Sequence, residues 1–424
     1  MNIMRGLFGM LLLLLVGYCL SMNRREIKPR TVLAALAVQI GIGALVLFIP
    51  AGRMVLAAVA RGANAVLEMG QQGLMFLFGG LVGDKMFVLF GAQGFAFGLR
   101  VLPMIIFVTS LIAVLYYFGI MTWLIRGVGT VFSKCLGVSR IEGCAATATV
   151  FIGHTELPAF TRPFIRQLSK TELFAVMSSG MASVSGAAVA GYAGLGVNLQ
   201  YLLAASFMAI PGGLVFGKLI CPSSGPQEFD MKKFTFDDKP AANVIEAAAS
   251  GAAVGLKIAV SIGAMLVAFI GLIALANMLV GVVAGWFGFE HLTLQSMLGT
   301  AFAPLAWAIG VPWQDAAVAG NFIGEKLILN EFIAYGNLAP YLQDAHKVAA
   351  AGLQVLDPTT IAILSFALCG FANFSSIAML TGGFGAVVPE LRGDVARFGL
   401  RALAAGTLSN LMSATIAGIF LSMT

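Results

Sequence analysis

The stretch IEGCAATATVFIGHTELPAFT, residues 141–161, decides the fold. It is apolar enough to enter a membrane, but GHTELP at 153–158 interrupts it with a glycine, an ionisable pair and a proline. Such a run is incompatible with the interior of a lipid-facing helix. Burying Glu156 there costs about 2.5–3.5 kcal/mol even on the lenient insertion scale, so its presence favours a functional use. The alternative is a kink in which Glu156 pairs with a loop arginine.

The composition indicates that this stretch belongs to a helical membrane protein. The 424 residues are 59% hydrophobic and 10% charged, with a mean hydropathy of +0.94, whereas soluble proteins carry about 25% charged residues. Lipid admits only helices or closed barrels, and continuous apolar stretches exclude the ~10-residue alternating strands of a barrel. The formal charge of +6 lies in short loops, as membrane topology requires, and does not indicate a nucleic-acid partner.

A second apolar segment, residues 317–337, is interrupted in the same way by Lys326 and by NEF at 330–332. We interpret both interrupted segments as re-entrant hairpins, which enter and leave the membrane on one side. An all-α fold with eight transmembrane helices then remains. The predicted helices lie near 6–22, 31–49, 101–121, 173–195, 200–220, 256–286, 359–386 and 402–422.

The distribution of lysine and arginine supports this topology, with the N-terminus outside. Eighteen of these residues fall in loops assigned to the cytoplasm and seven outside, as the positive-inside rule predicts. If both interrupted segments crossed fully, five cations would face outward instead. These are Arg162, Arg166, Lys170, Lys232 and Lys233.

We predict one membrane domain over residues 1–424, built from an inverted repeat. Each half pairs an interrupted segment with a polar helix, SVSG at 183–186 and NFSS at 373–376, which is the best sequence indication of a transporter site. The predicted parts are N-terminal scaffold helices over 1–49, an interfacial segment over 50–100, a first half over 101–245 with hairpin 141–161, and a second half over 246–424 with hairpin 317–337.

The third polar stretch is FANFSS at 371–376. Asn373 and Ser376 are three positions apart and therefore share a helix face. Asn373, Ser376 and Glu331 also allow a structural interpretation. The amide and hydroxyl could join helices without binding a ligand, and Glu331 could pair with Lys326.

Taken in order, the motifs G-x-T-E-x-P, N-E-F and F-A-N-F-S-S resemble those of the concentrative nucleoside transporters along essentially the whole chain. NIMRGLFGM at the N-terminus and LRALAAGTLSNLMSATIAG near the C-terminus are similar to the bacterial branch that includes nucleoside and pseudouridine permeases. The resemblance implies a secondary active symporter that imports nucleosides through the bacterial inner membrane. It also implies a homotrimer whose transport domains move like elevators, with no cofactor.

The resemblance further implies a set of substrate-binding residues. The first hairpin would read the base, with a small side chain on the fourth helix and an aromatic ring against the base. The second hairpin and seventh helix would hold the ribose hydroxyls, which agrees with the ability of a carboxylate to accept two hydrogen bonds. The implied residues are His154, Thr155, Glu156, Ala188, Glu331, Phe371, Asn373 and Ser376.

Two positions depart from the family pattern. His154 stands where the family usually has glutamine, and imidazole carries its donor and acceptor on opposite sides, so base preference is not carried over. His154 could also titrate near physiological pH. Thr149 replaces the asparagine of sodium-coupled members, while Ser183 and the backbone of Ile152 and Val184 match the implied cation ligands. The sequence therefore favours a proton over sodium as the coupling ion.

A membrane-embedded enzyme and a channel are the alternative classes. The chain has three histidines and contains neither HExxH nor G-x-S-x-G, so an enzyme site has no sequence support. Nothing in the sequence indicates the ring of a selectivity filter.

Overall fold

The computed structural model describes residues 3–83, 85–90, 96–161, 165, 168–222, 241–288 and 292–423. Every regular element within these ranges is a helix. Four of the cations used to choose the topology, Arg162, Arg166, Lys232 and Lys233, lie outside these ranges.

Eleven helices form the first part of the chain. They are α1 Ile3–Cys19, α2 Pro29–Gly43, α3 Pro50–Phe78, α4 Lys85–Phe90, α5 Phe97–Arg100, α6 Leu102–Tyr117, α7 Ile120–Leu136, α8 Arg140–Thr161, α9 Lys170–Ala182, α10 Gly186–Gly194 and α11 Leu199–Ile220.

Eight more helices complete the described chain. They are α12 Val244–Gly285, α13 Leu294–Ala308, α14 Trp313–Ile328, α15 Glu331–Leu338, α16 Ala345–Ala350, α17 Pro358–Ala367, α18 Phe374–Val387 and α19 Arg392–Leu421.

Seven helices of the described chain are long and apolar enough to cross a membrane, or eight if the bent pair α13–α14 counts as one span. The sequence predicted eight spans, but the predicted spans and those in the structure are not all the same. The span predicted at 359–386 is broken between α17 and α18, and α1 has only 17 residues. The span predicted at 173–195 is likewise broken between α9 and α10. Polar residues at these breaks release the backbone from regular helix bonding.

The segment predicted to be interfacial contains one unbroken 29-residue helix, α3. Together with the turn that follows it, α3 meets the length and hydropathy of a span, and only 11% of its apolar window is buried within the protein. A helix of that length and exposure is suited to crossing a bilayer or to lying along its surface. Its interfacial position stays a prediction.

Two of the longer helices, α7 and α13, were not anticipated from the sequence. Helix α7 carries Arg126 and Lys134, and α13 is a 15-residue helix that packs closely against α14. Both are shorter than a span, so a search for long apolar runs passes over them.

Burial divides the helices into two groups. The span windows of α9–α10, α11 and α19 are 83–89% buried, whereas that of α12 is 6% buried. Small residues permit close packing in the buried group: a Cβ on Gly406 would lie 2.8 Å from the Cβ of Met181 on α9. The apolar surface of α12 faces outward, as expected for a helix in lipid. The buried group surrounds the polar breaks.

Candidate substrate site

Breaks in helices from both halves of the chain meet at one place. Gly153 interrupts α8 with a φ of 74°, a conformation that favours glycine. A Cβ added there would lie 2.9 Å from the Cβ of Ser185, in the break between α9 and α10, and 3.2 Å from the ring of Phe371, between α17 and α18. The backbone N–H of Phe371 donates to the carbonyl of Ser183 at 3.1 Å. The two interrupted helices therefore cross beside the tip of the first interrupted segment.

Glu331 forms the centre of one side of the site. It begins α15, is 3% exposed, and receives a hydrogen bond on each carboxylate oxygen. The hydroxyl of Tyr192 donates to Oε1 at 3.1 Å, and Nδ2 of Asn373 donates to Oε2 at 2.9 Å. A carboxylate has about four lone-pair positions, so Glu331 can accept further hydrogen bonds while these two fix its orientation.

Asn373 is held in place by its role as the N-cap of α18. Its Oδ1 accepts from the backbone N–H of Ser376 at 2.9 Å, from the Ser376 hydroxyl at 3.1 Å and from the Ser375 hydroxyl at 2.6 Å. Capping satisfies amide groups that the first helical turn leaves without partners. It also fixes the side-chain rotamer, so that Nδ2 points at Glu331. Ser376 therefore lies beside Asn373 at the start of α18.

Tyr192 is a site residue that sequence reasoning missed. It lies near the end of α10, is fully buried, and contacts the ring of Tyr335 at a centroid distance of 4.5 Å. In the sequence it is one aromatic residue in the run GAAVAGYAG. Its distance of 139 residues from Glu331 leaves no local pattern that could have revealed the contact.

His154 forms the other side of the site and differs from Glu331 in its hydrogen bonding. It is 3% exposed, and its ring packs on Phe371 at a centroid distance of 4.4 Å. Neither ring nitrogen has a hydrogen-bond partner within the described part of the chain. Buried polar groups normally have partners, so these two nitrogens are available to a ligand.

The remaining predicted substrate residues lie close in sequence to these contacts. Thr155 is exposed and Glu156 is half-buried, directly after His154. Ala188 is buried in the first turn of α10, where its N–H donates to the Ser185 hydroxyl at 3.2 Å. No described hydrogen bond joins Thr155, Glu156 or Ala188 to Glu331.

The predicted cation ligands are all buried near the break between α9 and α10. The hydroxyl of Thr149 donates to the Ala146 carbonyl at 2.8 Å and lies 3.5 Å from the carbonyl oxygen of Ser179. The hydroxyl of Ser183, one turn after Ser179, donates to Gly180 at 3.5 Å. Ile152 ends the turn before Gly153, and Val184 lies within the break itself. Oxygen atoms are therefore concentrated here, but the hydroxyl of Thr149 already bonds within its own helix.

Lys326 does not serve as the hydrogen-bonding partner of Glu331. Its Nζ donates at 2.7 Å both to the carbonyl of Ala367 and to Oδ1 of Asn410. Within the described chain, the side-chain hydrogen bonds to the Glu331 carboxylate come from Tyr192 and Asn373.

This helical membrane fold, with polar side chains around crossing helix breaks, has the architecture of a transporter. Three family profiles match the chain: "Na+ dependent nucleoside transporter C-terminus" over 201–418, "Na+ dependent nucleoside transporter N-terminus" over 8–81, and "Nucleoside recognition" over 98–198. The chain therefore belongs to the Na+ dependent nucleoside transporter family, which confirms the resemblance drawn from its motifs.

Two relatives and two structures illustrate the match. "Nucleoside permease NupC" of Helicobacter pylori is 46% identical, with 98% of this chain and 97% of the relative aligned. "Sodium/nucleoside cotransporter 1" of Sus scrofa is 32% identical, over 98% of this chain and 63% of the relative. The structure of CNTnw in an inward-facing substrate-bound state has a TM-score of 0.94 and 49% identity, covering 100% of this chain and 99% of that one.

A doubly substituted form of CNTnw in an outward-facing state gives a TM-score of 0.95 at 49% identity, with the same coverage. The fold is thus shared with transporter structures in both states. These relatives and structures are transporters, which confirms that the chain is not an enzyme.

Proposed function

We propose that this protein imports nucleosides by secondary active symport across a bacterial inner membrane. The observation that carries the proposal is the buried carboxylate of Glu331, oriented by Tyr192 and Asn373 and still able to accept hydrogen bonds. A vicinal pair of ribose hydroxyls supplies two donors of matching spacing. Membership of the nucleoside transporter family and a relative named a nucleoside permease support the same substrate class.

The two sides of the site receive different parts of the substrate in this proposal. Glu331, Asn373 and Ser376 bind the ribose, and Ser376 also bonds to Asn373. His154, Thr155 and Glu156 bind the base edge, Phe371 packs against the base, and Ala188 leaves room beside it. The unpartnered ring nitrogens of His154 support its role, because a base would supply the missing hydrogen bonds.

For the coupling ion, we propose a proton that binds at Glu156, Glu331 or His154. The family description and the pig relative name sodium, so this choice rests on Thr149. A sodium ion needs five or six oxygens, and the short Thr149 side chain, which bonds to Ala146, supplies one at most. Sodium coupling at Thr149, Ser183 and the backbone of Ile152 and Val184 is the competing proposal that the family description favours.

A re-entrant path for the first interrupted segment is supported by two contacts on α11. Lys218 forms a buried ion pair with Glu142 at the start of α8. The adjacent Gly217 faces Ala175, in the second turn of α9, with a Cβ position 3.5 Å from its Cα. These contacts support a path in which α8 and α9 begin at the same level and the chain turns at Gly153.

Asp315 gives the same support for the second interrupted segment. Near the start of α14, its carboxylate accepts from the backbone N–H of Asp357 at 2.9 Å and from the hydroxyl of Thr360 on α17 at 2.6 Å. The chain turns at Leu329–Asn330 between these points. We propose that the two hairpins and the buried helices move together as an elevator within a homotrimer, against a scaffold that includes α1, α2 and α12.

Uptake into proteoliposomes tests this function. The purified protein is reconstituted, and labelled uridine or adenosine is added with a pH gradient, a sodium gradient or neither. Saturable accumulation above the equilibrium level under the pH gradient supports proton symport, and accumulation only under the sodium gradient replaces the proton with sodium. Equilibration without accumulation under either gradient would contradict symport and favour a channel.

A further inference from the structure

A buried lysine and a buried asparagine behind the substrate site are not used by the proposed function. Lys326 is 3% exposed and Asn410 is 2% exposed. Lys326 lies on α14, five residues before Glu331, and Asn410 lies in the middle of α19. A lysine at such depth is costly unless its donors are satisfied. Its surroundings therefore require an explanation.

The two side chains cap the ends of both broken helices. Nζ of Lys326 donates to the carbonyl of Ala367, the last residue of α17. Nδ2 of Asn410 donates to the carbonyl of Ala182, the last residue of α9, at 2.6 Å, and to that of Cys369 at 3.0 Å. The final carbonyls of a helix lack backbone partners, and a cation is favourable at that end of the helix dipole.

The same two side chains bond to each other, because Oδ1 of Asn410 accepts from Lys326 at 2.7 Å. One amide thus connects α14, α9 and the chain after α17. The fit is tight: a Cβ on Gly370 would lie 2.1 Å from Oδ1 of Asn410, so the backbone passes directly against the amide. We call Lys326 and Asn410 the break clamp.

The break clamp lies next to the crossing that forms the site. Ala182 precedes Ser183, whose carbonyl accepts from the N–H of Phe371. Cys369 is two residues before Phe371 and four before Asn373. A displacement of either helix end would therefore move the Asn373 amide relative to Glu331, although neither clamp side chain hydrogen-bonds to Glu331.

We propose that Lys326 and Asn410 are positioning residues that fix the two helix breaks to the segment carrying Glu331 and thereby set the affinity for the ribose hydroxyls. The inference rests on the proposed function of Glu331 and Asn373. It predicts an effect on the sugar part of the substrate, which a general loss of stability would not produce.

The test compares variants in proteoliposome uptake. Lys326→Met removes the ammonium at similar length, and Asn410→Asp keeps the acceptor for Lys326 but removes the donor to Ala182 and Cys369. The matched control is Thr415→Val on α19, which removes a fully buried hydroxyl that bonds only within its own helix, to Leu411. The amount of folded protein is measured by size-exclusion chromatography and thermal unfolding in detergent.

The readouts are the KM for uridine and the inhibition constant of 2′,3′-dideoxyuridine. We expect Lys326→Met and Asn410→Asp each to raise the KM for uridine about tenfold. Lys326→Met loses the charge-assisted bonds to Ala367 and Asn410, and Asn410→Asp loses the amide donors to Ala182 and Cys369. The inhibition constant of the dideoxy analogue should change less than threefold, so that the preference for ribose falls. Thr415→Val should leave both the KM for uridine and the inhibition constant of the dideoxy analogue unchanged.

Three results would overturn the inference. A wild-type protein that does not distinguish the two nucleosides removes the ribose assignment and the inference with it. If the wild type distinguishes the two nucleosides but the variants only yield less folded protein, with an unchanged KM, the break clamp is refuted. The ribose assignment then stands. If Lys326→Met does not fold, Asn410→Asp decides: wild-type ribose preference in that variant would refute the break clamp, because aspartate cannot donate to Ala182 or Cys369.

Discussion

The two interrupted segments contribute to the site in opposite ways. On the second segment, the carboxylate of Glu331 is held by hydrogen bonds from Tyr192 and Asn373. On the first, the two ring nitrogens of His154 have no partner in the described chain, and Thr155 is exposed. One side is thus preorganised, and the other is left with open hydrogen-bonding capacity.

This difference fits a carrier whose substrates share a sugar and differ in the base. A fixed carboxylate has little conformational freedom to lose on binding, so it suits the constant part of the ligand. Unsatisfied donors and acceptors reject a ligand that cannot pair with them, so they suit the part that is to be selected. The predictions below test this contrast.

The largest effect is expected from Glu331. Glu331→Ala should abolish uptake, with loss of at least about a hundredfold in Vmax/KM, because the ribose hydroxyls lose a charged acceptor and Tyr192 and Asn373 lose their partner. Uptake of labelled uridine per folded protein measures it, and the oligomer should be unchanged on size-exclusion chromatography. Near-normal uptake would disprove the assignment of Glu331 to the ribose.

The next largest effect is expected from Asn373. Asn373→Ser keeps an N-cap for α18 but removes the amide that donates to Glu331, so we expect the KM for uridine to rise about ten- to thirtyfold at nearly unchanged stability. Asn373→Ala loses the cap as well, so its free energy of unfolding should be about 1 kcal/mol lower than that of the wild type. Equal KM values for Asn373→Ser and wild type would show that the amide only caps the helix.

A smaller and more selective effect is expected on the base side. His154→Gln replaces opposed ring nitrogens with the parallel donor and acceptor of an amide. We expect the relative KM values for uridine, cytidine and adenosine to change about three- to tenfold, with the preference for ribose over dideoxyribose preserved. A uniform change for all bases would mean that His154 acts on the site without reading the base.

The smallest effect on substrate binding is expected at Thr149. Thr149→Asn supplies a longer oxygen-bearing side chain near the Ser179 carbonyl, so uptake should become more dependent on sodium at an almost unchanged KM for uridine. The measurement is uptake against sodium concentration at fixed pH. An unchanged sodium response would mean that the cation is bound elsewhere or that protons drive both the variant and the wild type.

The sequence predicted the parts of the site that its motifs carry. GHTELP and NEF combine helix-breaking or capping residues with ionisable ones. The helices are interrupted at Gly153 and Asn330, as expected. The capping role of Asn373 is local too, since it concerns residues three apart. Such short-range relations can be recognised without a structure.

Long-range contacts could not be predicted in the same way. Tyr192 meets Glu331 across 139 residues, and Asn410 meets Lys326 across 84. Both depend on which helices cross, and periodicity does not specify that. The sequence suggested Glu331 as a partner of Lys326, whereas the hydrogen bonds of Lys326 go to Ala367 and Asn410.

The most direct test of the contrast is competition against labelled uridine uptake by the wild-type protein, using two sets of competitors. One set varies the base on an intact ribose, and the other removes the 2′- and 3′-hydroxyls from uridine. The preorganised carboxylate predicts that loss of the hydroxyls weakens competition about a hundredfold, while changes of base alter it about tenfold or less. Competition by 2′,3′-dideoxyuridine as strong as that by uridine would contradict the account.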